Sequence, residues 1–159
     1  MGYNITGLLI KGKTDQKIIE DIIGDKITFS GETDFEDATS GFRENKTIDM
    51  LQTQTGTLIF TEFGKLYDIS KFDREIMQFI ISDISDTYYF EKYLSGKLER
   101  KYIRSQGEIS EDVGNGIISE GEDPEEVIWQ LAGEFLQNNF TETMFDLKFK
   151  RYISLYLPS

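Results

Sequence analysis

Residues 75–105, EIMQFIISDISDTYYFEKYLSGKLERKYIRS, set the architecture of the whole chain. They contain three segments rich in branched and aromatic side chains: EIMQFIIS (75–82), TYYFEKYL (87–94) and KLERKYIRS (97–105). Ser95-Gly96 separates the last two, and glycine accepts the positive φ that a two-residue hairpin turn requires. The nearly all-apolar run Ile76–Ile81 is typical of a strand covered on both faces. These residues therefore predict a meander of strands whose first member lies in the middle of a sheet.

Further strands and two helices are predicted around this meander. A helix begins after Thr14 as N-cap, carries an isoleucine stripe and ends at Gly24, and a second begins at Asp123-Pro124 and runs to about Gln137. Trp129 is expected on the flank of the second helix, partly buried or at a contact surface. The other predicted strands are Tyr3–Lys11, Ile27–Ser30, TIDMLQT (47–53), GTLIFTE (56–62) and Phe145–Leu157, with a polar surface loop over 31–46.

Two helices among about seven or eight strands exclude a doubly wound parallel fold, which needs a helix at nearly every crossover. We therefore predict a single α+β domain over residues 1–159. Its core is a twisted, mostly antiparallel sheet with both helices packed on one face.

The chain contains no cysteine and no histidine. This excludes Ser-His-Asp and Cys-His catalysis, disulfide frameworks and ordinary zinc sites. No remaining nucleophile has an evident activating base beside it. We expect a protein that is not an enzyme, with no catalytic residue, no cofactor and no metal site.

The negative charge is concentrated in one part of the chain. The sequence carries 29 acidic and 17 basic side chains, and eleven of the acids lie between Arg104 and Lys148, where there is no base. A region of one sign attracts cationic partners and repels nucleic acid and anionic lipid. We therefore expect a basic protein partner, without nucleic acid or membrane binding.

Eight residues are the candidates for contact with that partner. Six are acids and two are aromatic anchors: Glu108, Glu111, Asp112, Glu120, Glu122, Asp123, Trp129 and Tyr88. A structural interpretation stays open beside this one. The acids at 122–126 also suit a helix N-terminus, those at 108–112 suit solvated loops, and hairpin aromatics usually pack across strands.

Arg100 and Arg104 lie in one predicted strand beside Lys97 and Lys101. Such a row of cations could bind an anion, because guanidinium and ammonium groups donate to phosphate or carboxylate. It is more often the wet face of a sheet or an edge protected against aggregation.

GLLIKGKT, residues 7–14, formally matches the phosphate-binding pattern G-x-x-x-x-G-K-[ST]. In a true phosphate loop the four intervening residues are polar or glycine-rich, whereas Leu8, Leu9 and Ile10 would have to leave a core for solvent. A strand, a turn and a helix cap explain the string better.

The block from Gly56 to Glu120 resembles a layout found in small uncharacterised bacterial domains of the immunity type, encoded beside polymorphic toxins. The matching features are EIMQFIISD, TYYFEKYL, SGK, LERKYIR, the acidic GEISEDVG and the later Glu120, over about two fifths of the chain. The resemblance implies a protein that neutralises a partner by binding it. No functional residue is carried over.

The leading functional hypothesis is a cytoplasmic, immunity-like binding protein that occludes the basic site of a toxin such as a nuclease. The location follows from the amino-terminal residues, whose apolar run Leu8–Ile10 is too short for a signal peptide or a membrane span. The alternative is a small-molecule-sensing or accessory domain with a groove between sheet and helices. A nucleotide-binding protein using Lys13 and Thr14 is a third hypothesis.

Overall fold

The computed structural model of the protein describes residues 3–41, 43–44 and 46–155. Nine strands form one sheet in the order β2-β9-β3-β4-β1-β5-β6-β7-β8, and every neighbouring pair in it is antiparallel. The strands are β1 Asn4–Lys11, β2 Ile27–Asp34, β3 Thr47–Gln52, β4 Gly56–Thr61, β5 Glu75–Ser82, β6 Thr87–Leu94, β7 Lys97–Ser105, β8 Glu108–Gly114 and β9 Lys148–Ser154. The α+β class and the antiparallel sheet are confirmed, with nine strands in place of the predicted seven or eight.

The predicted meander is confirmed to the residue at β5, β6 and β7. The turn between β6 and β7 places Ser95 at φ 49° and Gly96 at φ 82°. Both values are positive, as a type I′ hairpin turn requires. β5 lies between β1 and β6, which explains its apolar side chains on both faces.

Four α-helices occur in the described residues: α1 Gln16–Ile23, α2 Phe35–Ala38, α3 Pro124–Leu136 and α4 Phe140–Thr143. The N-cap of α1 is Asp15 rather than the predicted Thr14, because the Asp15 carboxylate accepts from the Ile18 amide at 2.9 Å. The predicted start of α3 at Asp123-Pro124 and its predicted end at about Gln137 are confirmed, with Asp123 as N-cap and Gln137 as C-cap. α2 and α4 are single turns that the sequence analysis did not predict.

The prediction that both long helices cover one face of the sheet is wrong. Leu8 and Ile10 of β1 pack in a cluster with α1, whereas Leu9, between them, packs in a second cluster with α3. Because successive side chains of a strand point to opposite faces, the two helices lie on opposite sides. We call these sides the α1 face and the α3 face.

Aromatic rings fill the core on the α3 face. The Phe35 ring contacts Trp129, Phe60 and Phe140 at centroid distances of 5.7, 6.1 and 5.9 Å, in edge-to-face geometry. Phe35 belongs to the stretch predicted to be a surface loop. It is buried because β2 continues to Asp34 and α2 then turns the chain back over the core.

Asp49 of β3 is completely buried, at 0 % exposure, and holds two arginines on the α3 face. Arg151 of β9 donates to its two carboxylate oxygens at 2.7 and 2.9 Å, and Arg43 donates at 2.9 Å. Paired in this way, the buried carboxylate ties β9 and the segment before β3 to the centre of the sheet.

β2 is longer than predicted, and β8 was not predicted as a strand. β2 runs past Ser30 to Asp34 through a bulge between Phe29 and Gly31. β8 occupies residues that the structural interpretation had assigned to solvated loops. Of the predicted closing strand Phe145–Leu157, Lys148–Ser154 is confirmed, whereas Phe145 and Asp146 lie in a 3₁₀ turn. Residues 156 and 157 lie outside the described residues.

None of the helices in the described part of the chain has the length and apolar character needed to cross a membrane.

Candidate functional site

β8 forms one lateral edge of the sheet and carries the first group of candidate acids. It pairs with β7 on one side, and in the described residues no strand pairs with its other side. All seven of its residues are exposed. Its outer main-chain groups therefore face solvent, as in an edge strand open to a partner.

Arg100 of β7 fixes β8 and the segment that follows it. The side chain is 3 % exposed, and its guanidinium donates to the Asp112 carboxylate at 2.6 Å and to the Val113 carbonyl at 2.8 Å. It also donates to the carbonyls of Ile117, Ile118 and Lys101 at 2.7, 3.2 and 3.2 Å. The prediction that Arg100 lies on a wet sheet face is wrong, because these acceptors draw the guanidinium inward.

Seven exposed carboxylates lie between the start of β8 and the first turn of α3, and we call them the acidic edge. They are Glu108, Glu111, Asp112, Glu120, Glu122, Asp123 and Glu126. In residues 3–41, 43–44 and 46–155, the ion pair of Asp112 with Arg100 is the only one within 4 Å that involves them.

Three members of the acidic edge also have local structural roles. Asp112 is the partner of Arg100. Glu122 accepts from the Ser119 amide at 2.6 Å, and Asp123 accepts from the Glu125 amide at 3.1 Å as the α3 cap. The remaining four, Glu108, Glu111, Glu120 and Glu126, are exposed with no such contact among the described residues. They can meet the cations of a partner without a structural loss.

The two proposed aromatic anchors are buried. Trp129 is 6 % exposed and packs edge-to-face on Phe60, Phe79 and Phe35. Tyr88 is 9 % exposed and lies under the Arg104 guanidinium at 5.1 Å. Both rings belong to the core on the α3 face and offer little surface to a partner.

A carboxyl pair lies where α3 begins. Asp83, directly after β5, accepts from the Tyr3 amide at 2.7 Å and from the Tyr88 hydroxyl at 3.3 Å. Burial and then the nearby Asp83 carboxylate raise the pKa of Glu125 to about 7. Burial and then Asp83 likewise raise the pKa of Tyr88 to about 12. Glu125 can therefore hold a proton near neutral pH.

A groove of about 740 Å³ opens between α3 and the sheet. Met77, Leu131 and Phe135 give it apolar walls, and Glu122 of the acidic edge also lines it. Lys92 crosses its floor in an ion pair with Glu75 at 3.7 Å. The volume lies within the range of small-ligand sites, about 300–1,000 Å³.

The phosphate-loop string does not form a phosphate loop. Gly7 through Ile10 lie within β1 and are buried, and a Cβ on Gly7 would come 2.6 Å from the Phe79 ring. That close approach explains why residue 7 is a glycine. Thr14 is also buried, and its hydroxyl is bonded to Thr57 at 3.3 Å, so it is not free to bind a metal-nucleotide complex.

Comparison with known proteins adds no relative. No protein-family model, curated protein or solved structure matches this chain significantly.

Local sequence signals found only part of the site. The acidic edge follows from charge counting, because its members are close in sequence. A groove between sheet and helices was part of the alternative hypothesis, but its residues and the Asp83–Glu125 pair were not identified, because they come from separate segments. The role of Arg100 was missed for another reason, since nothing in the sequence distinguishes this arginine from the other cations of the same strand.

Proposed function

We propose that the protein is a non-enzymatic, acidic binding protein, of the immunity type, which acts in the cytoplasm. It neutralises a basic toxin such as a nuclease by covering the toxin's cationic site with the acidic edge. The observation that carries this proposal is the run of seven exposed carboxylates with one internal ion pair among the described residues. A carboxylate without an internal cation attracts one from outside.

The electrostatics of the acidic edge support fast capture. Charge complementarity raises association rates by about ten- to a thousandfold at low salt, and salt screens it over about 10 Å at 0.1 M. Opposed charges at the contact also discriminate against acidic partners. Trp129 and Tyr88 are buried, so the partner would supply the aromatic or arginine anchors of the interface. The groove beside Glu122 can receive such an anchor side chain.

The first experiment reverses three acids that have no structural contact, Glu108, Glu111 and Glu120, to lysine. A matched control reverses Glu44, Asp73 and Glu142, which are exposed outside the acidic edge. Both variants have a net charge of −6 in place of −12, since each reversal adds two charges. Asp112, Glu122 and Asp123 are left intact because each has a bonded partner within the fold.

The partner for this experiment is the product of the reading frame adjacent to this one in its genome. We expect the first variant to associate about ten- to a hundredfold more slowly at low salt in stopped-flow measurements, and to lose protection of cells that express the partner. The control should stay close to the native rate. Equal rates for both variants, or no binding to either adjacent gene product, would contradict the proposal.

The groove favours a second candidate function, a small-molecule-sensing or accessory domain. Its mixed lining of apolar walls and the Lys92–Glu75 pair suits a polar metabolite with an apolar part. A thermal-shift screen with metabolites at millimolar concentration tests it, because a ligand bound to the native state raises the melting temperature. Leu131→Trp, which narrows the groove, should abolish any genuine shift. A shift that persists in this variant would place the ligand elsewhere.

A further inference from the structure

We infer that β8 receives an extended basic segment of the partner as an added strand. This inference rests on the proposed function and specifies how the acidic edge is used. Main-chain hydrogen bonds along β8 would supply affinity, and the acids beside them would select cations.

The first support is that β8 is both open and held in place. An unpaired strand that frays has to be ordered on binding, at a cost in free energy. Arg100 prevents this, because it binds the Asp112 side chain and the Val113 carbonyl, while no strand among the described residues pairs with the other side of β8. β8 is therefore prepared for pairing before a partner arrives.

The second support is a difference between the two edges of the sheet. At the β2 edge, Glu32 lies opposite Lys150 in register, and Asp34 lies opposite Lys148. These acids face cations of their own sheet. At the β8 edge, Glu108 lies opposite Ser105 and Glu111 opposite Ile103. The acids of β8 thus lack a cation directly across the strand pair, and an added basic strand would supply it.

The side chains of β8 also indicate the pattern of the added strand. Glu108, Glu111 and Val113 lie on the α1 face, because their register partners Ser105, Ile103 and Lys101 alternate along β7. Ile109 is 54 % exposed and Val113 is 46 % exposed. The complementary strand therefore carries basic residues on the α1 face, opposite Glu108 and Glu111, and an apolar residue on the other face, opposite Ile109. Seven residues of β8 correspond to about 23 Å of strand.

A second copy of this chain does not fit the same edge. β8 carries Glu108, Glu111 and Asp112 and no base, so pairing β8 with β8 brings two segments of like charge together. Like charges directly across a strand pair are destabilising. The occupant is therefore a basic segment of a different protein.

The experiment uses the full chain and a nine-residue peptide of alternating lysine and valine, with blocked termini. A second peptide has the same sequence and charge but carries an N-methyl group on every interior amide, so that it cannot form a strand ladder. Binding is measured by calorimetry at low salt. Amide hydrogen exchange is followed over Glu108–Gly114 and, for comparison, over the opposite edge Ile27–Asp34.

We expect the unmethylated peptide to protect outward amides of β8 at least about tenfold and to leave β2 unchanged. N-methylation should weaken binding at least about tenfold, because it removes main-chain hydrogen bonds and leaves the charge intact. The double reversal Glu108→Lys with Glu111→Lys should abolish binding, and Glu44→Lys with Asp73→Lys should not.

The contrary outcomes separate this inference from the proposed function. Equal binding of both peptides without protection of β8 would overturn strand addition and leave a purely electrostatic acidic edge. Protection at β2 would place the added strand on the wrong edge and overturn the inference. If neither peptide binds, the inference is overturned as well. The proposed function is still tested separately, by the association of the native protein and of its charge-reversal variant with the adjacent gene product.

Discussion

Replacing Arg100 with methionine tests whether one side chain holds the acidic edge in place. Methionine retains much of the apolar volume and removes all five donated hydrogen bonds. Bonds from a charged donor contribute about 1.5–3 kcal/mol each, but water replaces those to the exposed Asp112 and Val113. Ile118 is buried, and its carbonyl loses its donor without replacement. Leaving a buried acceptor unsatisfied costs about 1–3 kcal/mol, and because the Ile117 and Lys101 carbonyls also lose their donor, we expect about 3 kcal/mol in total.

The assay is amide hydrogen exchange over β8, combined with urea unfolding followed by the fluorescence of Trp129, the only tryptophan. A loss of about 3 kcal/mol corresponds to a decrease of roughly a hundredfold in the protection of β8. The matched control is Arg104→Met in the same strand, whose guanidinium stacks on Tyr88 and should contribute only about 1 kcal/mol. Equal losses in the two variants, or unchanged protection of β8 in the first, would refute the role of Arg100.

Three further predictions concern the interior. Glu125 keeps its proton to about pH 7 in the native state and loses it near pH 4.5 when unfolded, so stability falls as the pH rises through that window. The loss of stability is about 1–2 kcal/mol after allowance for solvent screening. Glu125→Gln should remove this loss in urea titrations at pH 5 and 8. An unchanged pH dependence in the variant would exclude Glu125 as its source. Gly56→Ala should lower the free energy of unfolding by about 2 kcal/mol or more, because its Cβ would lie 2.4 Å from the Phe135 carbonyl oxygen. In the control Gly133→Ala, the added Cβ meets nothing closer than 3.5 Å, and the alanine should stabilise α3. Asp49→Ala leaves the partly buried Arg43 and Arg151 without their carboxylate and should lower the free energy of unfolding by about 3 kcal/mol. A loss below about 1 kcal/mol would show that water replaces the carboxylate.

The elements that the sequence predicted well are those with local signals. β5, β6 and β7 have dense branched and aromatic residues and a glycine turn, and α3 has Asp123 and Pro124 at its start. These patterns extend over only a few residues, so they can be recognised in one sequence without knowing the fold.

The elements that were missed depend on contacts between distant residues. β8 reads EISEDVG, which has little strand propensity, and it forms a strand because β7 and Arg100 hold it. The assignment of helices to faces failed because β1 is apolar on both sides, so Leu8 and Leu9 gave no indication of which helix each would meet. Trp129 was expected to be partly buried or at a contact surface because of its flanking helical position, whereas the rings around Phe35 enclose it.

The position of β9 between β2 and β3 has a consequence for biosynthesis. Ile27 of β2 finds its register partner only at Ser154, more than one hundred residues later. While the ribosome makes the intervening chain, the hairpins from β3 to β8 can form, but β2 has to wait. A nascent chain that stalls before β9 would display an uncovered strand, and this is the species that a chaperone or a protease would meet first.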